Sequence, residues 1–340
     1  MLPWEGIKVA VELYFPHDQL GSKNPDFDLA ADYMELTAFF DDQARSFTKD
    51  LINASEIGAE NDYSDVNEEM INREEIVSGA VKRMEKRRHA LGDSWPFVLD
   101  ENGDMLSFTG QDLSCGQTAY VLSLVLSHLR SVSEILSGSA VYPTEQETAN
   151  LRKYFQYFAT AALAAEVRGQ AWSFGYPRPD GTSFHTKLKQ IWNVFNDGVI
   201  QTAPGAPNRP KDDQIDIFAA RLHCDGLPGF LLAAAQVATG EKWKDKSIRG
   251  HPLVFHKRWF SQQPVTDMIC YHIIPFARSD DDFRDDCRVL GNVLHRIRVP
   301  RRVAEAEELY RQGLAIEAFD QLTAAADWIR AYATRRAVAA

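Results

Sequence analysis

The chain has few cysteines and no long hydrophobic stretch, and each absence argues against a class of protein. Its four cysteines lie far apart and form no C-x-x-C pair, so the sequence predicts buried free thiols rather than a zinc site or a disulfide framework. No apolar run approaches the roughly 20 residues that a membrane-spanning helix needs, so no membrane contact is expected. The amino-terminal stretch MLPWEGIKVAVELYF has no basic region followed by a smooth apolar segment, which favours a cytoplasmic location.

Nucleotide-binding and serine-hydrolase motifs are also missing. The sequence contains no GxxxxGKS/T, GxGxxG or G-x-S-x-G pattern, so ATPase, dinucleotide-binding and serine-hydrolase functions have no local support. Four histidines of the second half do not have the spacing of a metal-binding triad, and we expect structural roles for them: His223, His251, His256 and His272.

Acidic residues are concentrated in the first half of the 340-residue chain. Residues 1–150 carry 27 acidic and 11 basic side chains, a net charge of −16, whereas residues 151–340 carry 21 acidic and 26 basic side chains, a net charge of +5. Such an asymmetry suggests two functional halves. The acidic half should repel nucleic acid, and the basic half is suited to accept it.

The first half is predicted to be a mainly helical domain, residues 1–140, that contains one β-hairpin. Apolar residues recur at helical spacing in three segments, and Asn102-Gly103 lies between two apolar runs at a position typical of a tight turn. The predicted elements are helices over 28–55, 72–91 and 115–136, an acidic exposed loop over 56–69 and a hairpin over 96–108.

The second half changes to alternating strands and helices. A Thr144–Glu147 capping-box pattern opens its first helix, and we place the domain boundary just before this pattern. Residues 141–300 are predicted to form an α/β domain with mixed strand pairing, followed by a helical tail over 301–340. The predicted strands cover 171–177, 215–221, 230–238 and 265–276, and the predicted helices cover 145–167, 184–199, 241–248 and 279–298.

Two polar residues of this half lie within or at the end of apolar strands. In QIDIF, Asp216 points away from Ile215 and Ile217, because successive side chains of a strand alternate between its faces. Gln236 lies near the end of the next strand, so antiparallel pairing of the two strands places it beside Asp216. A carboxylate and an amide oxygen are hard ligands of the kind that bind Mg²⁺ or Mn²⁺, so these two residues are the predicted metal ligands.

The same residues resemble a known family. An Asp on one strand, followed about twenty residues later by a Glu/Gln-x-Lys pattern at the end of the next strand, resembles the PD-(D/E)XK signature of the restriction-endonuclease-like nucleases. DDQIDIF is similar to the entry of that family's metal-binding strand, and YFQYFATAALAAE is similar to its first core helix. The resemblance covers about Thr144 to Arg298 and not the first half. It implies a restriction-endonuclease-like mixed-sheet core, a divalent metal ion and hydrolysis of phosphodiester bonds.

Two positions depart from the signature. Gln236 stands at the acidic position, and Ala238 stands where the family has its lysine. Lys242, Lys244 and Lys246 follow at once in a predicted helix, on which the first and the last are four residues apart and share one face. The resemblance implies that Lys246 or Lys242 replaces the lost lysine as a catalytic residue.

Residues outside the signature are assigned by their position. On the first core helix, Gln156 occupies roughly the place of a carboxylate that assists the metal, and Glu166 is an alternative. Asp212 and Asp213 are assigned to a loop or a strand cap. Five cations are predicted to contact a nucleic-acid backbone: Arg178, Lys187, Lys244, Arg296 and Arg298.

The sequence therefore predicts a metal-dependent nuclease in which Asp216 and Gln236 hold the metal and a lysine assists the attacking water. DNA is the expected substrate, and RNA is left open. Because the chain has no motor motif, we expect a separate helicase, ATPase or sensor subunit, and the resemblance implies a bacterial restriction or antiphage defence system. The alternative, for which Ala238 is the main argument, is a catalytically inactive nuclease fold that binds nucleic acid or scaffolds its partner.

Overall fold

The structure, a computed structural model, describes residues 8–9, 13, 26–59, 66–110, 112–129, 135–136, 142–208, 210–335 and 337–338. The chain divides into two compact units. The first unit comprises residues 1–149 and 325–340, and the second comprises residues 150–324. The sequence analysis placed domain boundaries at residues 140 and 300, and these boundaries stay a prediction.

Helices and strands occur in both units. The ten α-helices of the described residues are α1 (Phe27–Phe40), α2 (Thr48–Ala59), α3 (Val66–Leu91), α4 (Cys115–Ser127), α5 (Glu145–Val167), α6 (Phe184–Phe195), α7 (His251–Trp259), α8 (Asp280–Leu290), α9 (Val299–Arg311) and α10 (Leu322–Ala333). The strands are β1 (Lys8–Val9), β2 (Arg45–Phe47), β3 (Phe97–Leu99), β4 (Met105–Phe108), β5 (Gln170–Ser173), β6 (Val199–Ile200), β7 (Ile217–Arg221), β8 (Leu231–Val237), β9 (Phe260–Gln262), β10 (Met268–Ile273), β11 (Asn292–Leu294) and β12 (Ala337–Val338). None of the helices in the described part of the chain is both long and apolar enough to cross a membrane.

The first unit combines helices with a small antiparallel sheet. β3 and β4 form the predicted hairpin, in which Phe97 pairs with Phe108, and β2 adds to the other edge of β4. The turn contains Gly103 with a φ of 77°, a conformation that favours glycine. The capping box also forms, since the Thr144 N–H donates to Glu147 Oε2 at 2.7 Å and the Glu147 N–H donates to Thr144 Oγ1 at 3.2 Å.

The prediction of one helix over 28–55 is wrong, because the chain forms α1, β2 and α2 there. Asp41 ends α1, since its carboxylate accepts the N–H groups of Gln43 at 2.7 Å and Arg45 at 3.2 Å, bonds that compete with the helical pattern. Ala44 then takes a φ of 55°, which a right-handed helix cannot contain. The predicted loop over 56–69 is wrong at its two ends, which lie in α2 and α3, and 60–65 lie outside the described residues.

The second unit is built on a mixed sheet of five strands in the order β11-β10-β8-β7-β5. β5, β7 and β8 pair antiparallel, and β8, β10 and β11 pair parallel. The α/β class and the mixed pairing predicted from the sequence are thereby confirmed. A further antiparallel pair, β6 with β9, was not predicted, and neither were α7 and β11.

An aromatic core packs against β7 and β8. Phe174, Trp192, Phe218 and Phe255 are each at most 4 % exposed. The ring centre of Phe218 lies 5.1 Å from that of Phe174 and 5.2 Å from that of Trp192. Because interiors packed in this way resist displacement, the core fixes the strand ends from which the candidate site is built.

The predicted helix over 241–248 is wrong. Only Trp243–Asp245 forms a single 3₁₀ turn. The buried residues of the segment are Trp243 and Ile248, whose spacing does not place them on one helical face. The four cysteines are free thiols, but the prediction that they are buried is wrong, since Cys224 is exposed and the other three are half-buried.

Candidate functional site

A cleft of about 530 Å³ opens in the second unit where β7 begins and β8 ends. Its walls come from α5, the segment after β5, the loop before β7 and the 3₁₀ turn after β8. The residues that line it are Arg152, Gln156, Tyr176, Asp212, Gln214, Asp216, Gln236, Val237, Thr239, Asp245 and Lys246.

Asp216 and Gln236 are direct neighbours in this cleft. Because Ile217 pairs with Ala235 across the antiparallel strands, residue 216 falls opposite residue 236. Gln236 Nε2 donates to Asp216 Oδ2 at 2.5 Å, and the Val237 N–H donates to the same oxygen at 2.8 Å. The main chain is fixed too, since the Asp216 N–H donates to the Ala235 carbonyl at 2.8 Å. The strand geometry predicted from the sequence thus brings the two side chains together.

The other carboxylate oxygen of Asp216 faces a space that only glycine leaves open. The N–H groups of Phe174 and Gly175 donate to the Asp216 carbonyl at 2.7 and 2.8 Å, which holds the chain after β5 against this residue. A methyl group at position 175 would lie 2.5 Å from Asp216 Oδ1 and 2.7 Å from Gln156 Nε2, closer than non-bonded contact allows. Gln156 is held there by donating to Ser173 Oγ at 2.7 Å. Gln156 therefore converges on Asp216, as its position in the sequence suggests.

The loop before β7 turns Asp212 and Gln214 into the cleft and Asp213 away from it. Asp213 and Gln214 have φ angles of 50° and 68°, a left-handed conformation that is costly for residues other than glycine. The Asp213 carboxylate holds this loop by accepting from Trp259 Nε1 at 2.6 Å and from Arg258 Nη1. Asp213 has the structural role predicted for it, and Asp212, whose carboxylate accepts the Gln214 N–H at 3.1 Å in the same loop, also lines the cleft.

Lys246 is the lysine of this segment that reaches the cleft. Trp243 is buried beneath the 3₁₀ turn, and its ring centre lies 5.8 Å from that of Phe276. Lys246 ends this turn, and its N–H donates to the Trp243 carbonyl. It lines the cleft, where its charge acts to lower the pKa of Asp216.

Lys242 and Lys244 do not share this position. Lys242 begins the 3₁₀ turn and is not among the residues that line the cleft. Lys244 lies 3.6 Å from Asp286 and 5.3 Å from the ring centre of Trp243, away from the cleft. The single face that a helix would have given Lys242 and Lys246 does not exist, because the segment is not helical.

Asp216 carries an uncommon charge environment. Burial and, to a smaller extent, the charge of Asp212 raise its pKa to about 7, although the Val237 N–H and the charge of Lys246 act in the opposite direction. The residue is 8 % exposed. A carboxylate with a pKa raised in this way lacks a full counter-charge, and such groups are concentrated at functional sites.

Arg178 is buried, which contradicts its predicted contact with a nucleic-acid backbone. It is 6 % exposed, and its guanidinium carbon lies 4.9 Å from the centre of the Phe174 ring. Its Nη atoms donate to the carbonyls of Thr182, at 3.3 Å, and of Lys211. Arg178 therefore ties two loops together at the cleft instead of facing solvent.

Lys187 and Arg296 are buried as well, contrary to the same prediction. Lys187 lies 2.7 Å from Asp180 and also pairs with Glu317. Arg296 is wholly buried. The sequence marked these residues as basic but gave no sign that they would be enclosed.

Arg298 and Glu166 lie outside the cleft lining. Arg298 is exposed, and its Nη1 atom donates to the Val293 carbonyl at 3.0 Å, while its guanidinium carbon lies 4.4 Å from the centre of the Phe283 ring. Glu166 pairs with Arg302 at 2.6 Å. Of the two candidates on the first core helix, Gln156 is therefore the one that reaches Asp216.

Sequence reasoning missed several residues that line the cleft. Arg152 precedes Gln156 by four positions on α5, and this spacing alone could have placed the two on one helical face. Gln214, Thr239 and Asp245 carry no such signal, because loop geometry brings them to the cleft.

The cleft residues fit a hard divalent cation. Three carboxylates line it, from Asp212, Asp216 and Asp245, against the two cations Arg152 and Lys246. The described residues contain no group of three or more His, Cys, Asp or Glu side chains that could hold a metal ion by themselves. Amide oxygens are therefore needed to complete a ligand set.

Gln156 and Gln236 supply such oxygens. Both amides contact or approach Asp216, and a glutamine amide can be turned so that its oxygen takes the place of its nitrogen. Mg²⁺ and Mn²⁺ accept carboxylate, amide and water oxygens. The space above Gly175, where a Cβ atom would collide with both Asp216 and Gln156, is bounded by donors of this kind.

Comparison of the chain with protein-family models, with curated proteins and with solved structures finds no match. The structure shows an α/β protein whose mixed five-stranded sheet carries a buried carboxylate, Asp216, bonded to a half-buried amide, Gln236, at adjoining strand ends. The chemistry of that pair is the basis for the function that follows.

Proposed function

We propose that the second unit is a metal-dependent nuclease that hydrolyses phosphodiester bonds of DNA. The observation that carries this proposal is the 2.5 Å contact between Gln236 Nε2 and Asp216 Oδ2 in a cleft that Lys246 also lines. A buried carboxylate, an amide and an ammonium group in one place supply the donor atoms and the charge that phosphoryl transfer requires.

The order of elements supports the restriction-endonuclease-like fold that the sequence resemblance implies. Helix α5, the antiparallel strands β5, β7 and β8, helix α7 and the parallel strand β10 occur in this order, with α6 and β6 inserted after β5 and β9 inserted after α7. Asp216 and Gln236 lie where two of these strands meet the cleft, and Gln156 comes from the helix before them.

Each of these cleft residues has a role in the proposal. Asp216, Gln236 and Gln156 would hold Mg²⁺ or Mn²⁺. When bound, such an ion polarises a phosphoryl oxygen and lowers the pKa of a water molecule. Lys246 stabilises the negative charge that develops on the phosphate as the water attacks. Arg152, on the cleft wall, binds a neighbouring phosphate of the same strand.

The proposal includes a separate partner. The chain contains no motor motif, so a helicase, ATPase or sensor subunit would open or select the target, as part of a bacterial restriction or antiphage defence system. The first half of the chain, with its net charge of −16, is unsuited to nucleic acid and is the proposed contact for that partner.

Incubation of the purified chain with supercoiled, linear and single-stranded DNA tests hydrolysis. We expect cleavage with Mg²⁺ or Mn²⁺ that EDTA abolishes. Asp216→Asn should remove it, and Lys246→Ala should lower kcat on the order of 100- to 1000-fold, because charge stabilisation in the transition state is lost. Asp285→Asn is the matched control, since Asp285 is exposed on α8. An Asp216→Asn protein that cleaves as fast as this control would rule the proposal out.

A catalytically inactive nuclease fold is the second candidate, and Ala238 favours it. This residue is 0 % exposed, and its N–H donates to the Ile273 carbonyl at 3.0 Å, so no ammonium group stands at the signature position. Under this candidate the chain retains DNA in a gel-shift assay but shows no metal-dependent cleavage. Running both assays on the same protein separates the two functions.

A further inference from the structure

An exposed aromatic ring stands at the rim of the cleft. Tyr176 is 59 % exposed and lines the cleft together with Asp216. In the described part of the chain, Tyr310 is the other aromatic side chain that is more than a third exposed, and it stacks on Phe319 with ring centres 4.4 Å apart. Tyr176 packs on no other ring of the described residues, and Lys211 Nζ lies 5.8 Å from its ring centre.

The main chain on both sides of this tyrosine is anchored. Before it, the N–H groups of Phe174 and Gly175 donate to the Asp216 carbonyl at 2.7 and 2.8 Å. After it, Arg178 packs on the Phe174 ring and donates to the Lys211 carbonyl. The buried arginine thus joins the segment that carries the tyrosine to the segment that carries Lys211. The Tyr176 ring lines the cleft, and the ammonium group of Lys211 lies beside this ring.

An exposed and anchored ring is suited to stack on a nucleobase. Such stacking accepts any base sequence, because every base has a π-face. The bases of an intact duplex already stack on their neighbours, so the ring gains little from a duplex. The ammonium group of Lys211 is suited to a phosphate of the stacked strand. These features favour a strand with unpaired bases.

We propose that Tyr176 stacks on an unpaired base next to the phosphodiester bond held in the cleft, and that the substrate is single-stranded or locally melted nucleic acid. This inference rests on the proposed nuclease function and adds the class of substrate to it. Lys211 binds a phosphate of the same strand. A duplex reaches the cleft only after its strands separate there.

Equilibrium binding by the full chain tests this inference without relying on hydrolysis. Fluorescein-labelled oligonucleotides of one sequence are titrated as single-stranded DNA, single-stranded RNA and blunt DNA duplex, by fluorescence anisotropy in Ca²⁺, with their integrity checked on a gel. The variants are Tyr176→Ala, Tyr176→Phe and the matched control Tyr310→Ala. Equal thermal unfolding midpoints of the variants confirm that each is folded.

We expect the wild type to bind a single strand more tightly than the duplex. Tyr176→Ala should weaken single-strand binding roughly 5- to 150-fold, the range typical of one lost stacking contact. Tyr176→Phe keeps the ring and should stay within about twofold of the wild type. The DNA and RNA arms show which strand the cleft prefers. Duplex binding should change little in any variant.

Several results would overturn the inference. One is a wild type that binds duplex as tightly as single strands or binds no oligonucleotide. Another is a Tyr176→Ala protein that binds single strands as well as Tyr310→Ala does. Cleavage in Mg²⁺, measured in parallel, decides the nuclease proposal separately. If Tyr176→Ala loses single-strand binding and the wild type shows no cleavage, the stacking contact is supported. Only the proposed hydrolysis is then contradicted.

Discussion

Both units bury acidic side chains, but they differ in the charges that surround them. In the first unit Arg87, 1 % exposed, lies 2.7 Å from Asp32 Oδ1, 2.9 Å from Asp28 Oδ1 and 3.1 Å from Glu35 Oε1. In the second unit Asp216 is contacted by an amide and a main-chain N–H, both of them neutral. The carboxylates of the first unit surround the Arg87 cation, whereas Asp216 of the second unit faces a cleft.

Three further side chains complete the enclosed group. Trp95 Nε1 donates to Glu35 Oε1 at 3.0 Å, the Tyr120 hydroxyl donates to Glu35 Oε2 at 2.7 Å, and His128 Nε2 lies 2.8 Å from Asp32 Oδ2. Although burial acts to lower it, the pKa of the guanidinium is raised well above its ordinary value by these carboxylates. A buried group in which one guanidinium lies within ion-pair distance of three carboxylates is best explained as a structural element of the first unit.

Asp216 has no such direct ion pair among the described residues. The pKa of Asp216 is raised to about 7, mainly by burial, and the charge of Lys246 lowers it only in part. A cation that enters the cleft would supply the missing charge. The charge cluster around Arg87 therefore stabilises the fold, whereas the cleft around Asp216 is suited to bind a ligand.

The largest effect is expected in the enclosed cluster. Arg87→Met removes the cation and leaves three carboxylates without it, so the free energy of unfolding should fall by about 3–5 kcal/mol. Arg288→Met, in an exposed pair with Asp285, should cost less than about 1 kcal/mol. Urea denaturation followed by tryptophan fluorescence measures both. Equal effects of the two substitutions would mean that the cluster is not a stabilising element.

The sequence predicted the candidate site better than its surroundings, for a physical reason. Asp216 and Gln236 could be paired because side chains alternate along a strand and the two strands follow each other directly in the chain. Both facts can be read from residues 215–238 of the sequence alone. The helix Glu145–Val167 was likewise predicted to the residue, since it has a capping box and a regular apolar pattern.

The cations could not be predicted in the same way. Arg178 and Lys187 look like nucleic-acid contacts in the sequence, and their burial depends on Lys211 and Glu317, which are distant along the chain. Lys246 was one of two candidates until the turn around it proved to be 3₁₀ rather than α-helical. Whether a charge is enclosed or exposed is a tertiary property, and composition does not encode it.

A smaller effect, of opposite sign, is expected at Asp216. Its pKa in the folded chain is about 7 against an ordinary 3.8, so the folded chain keeps a proton that the unfolded chain has released between these values. The stability due to that proton is complete below pH 3.8 and is lost as the pH rises to about 7. Asp216→Asn should therefore raise the free energy of unfolding by about 2–4 kcal/mol at pH 8.

The pH dependence is the check on this stabilisation. The difference between Asp216→Asn and the wild type, from urea denaturation, should be clearly smaller at pH 5 than at pH 8, because the wild-type carboxyl is protonated at the lower pH. Asp285→Asn should show no such dependence, since Asp285 is exposed. A variant less stable than the wild type at pH 8 would show that the carboxylate is already compensated, as in the first unit.

The smallest effect is expected from the metal itself. A cation that binds the folded cleft and not the unfolded chain stabilises it by mass action, about 1–3 kcal/mol at concentrations 10 to 100 times its dissociation constant. Calorimetry in Mg²⁺ or Mn²⁺ against EDTA should therefore shift the unfolding of the second unit upward. The Arg87 cluster already contains its cation, so the first unit should not respond. Asp216→Asn should remove the shift, and a shift that survives this substitution would place the metal elsewhere in the chain.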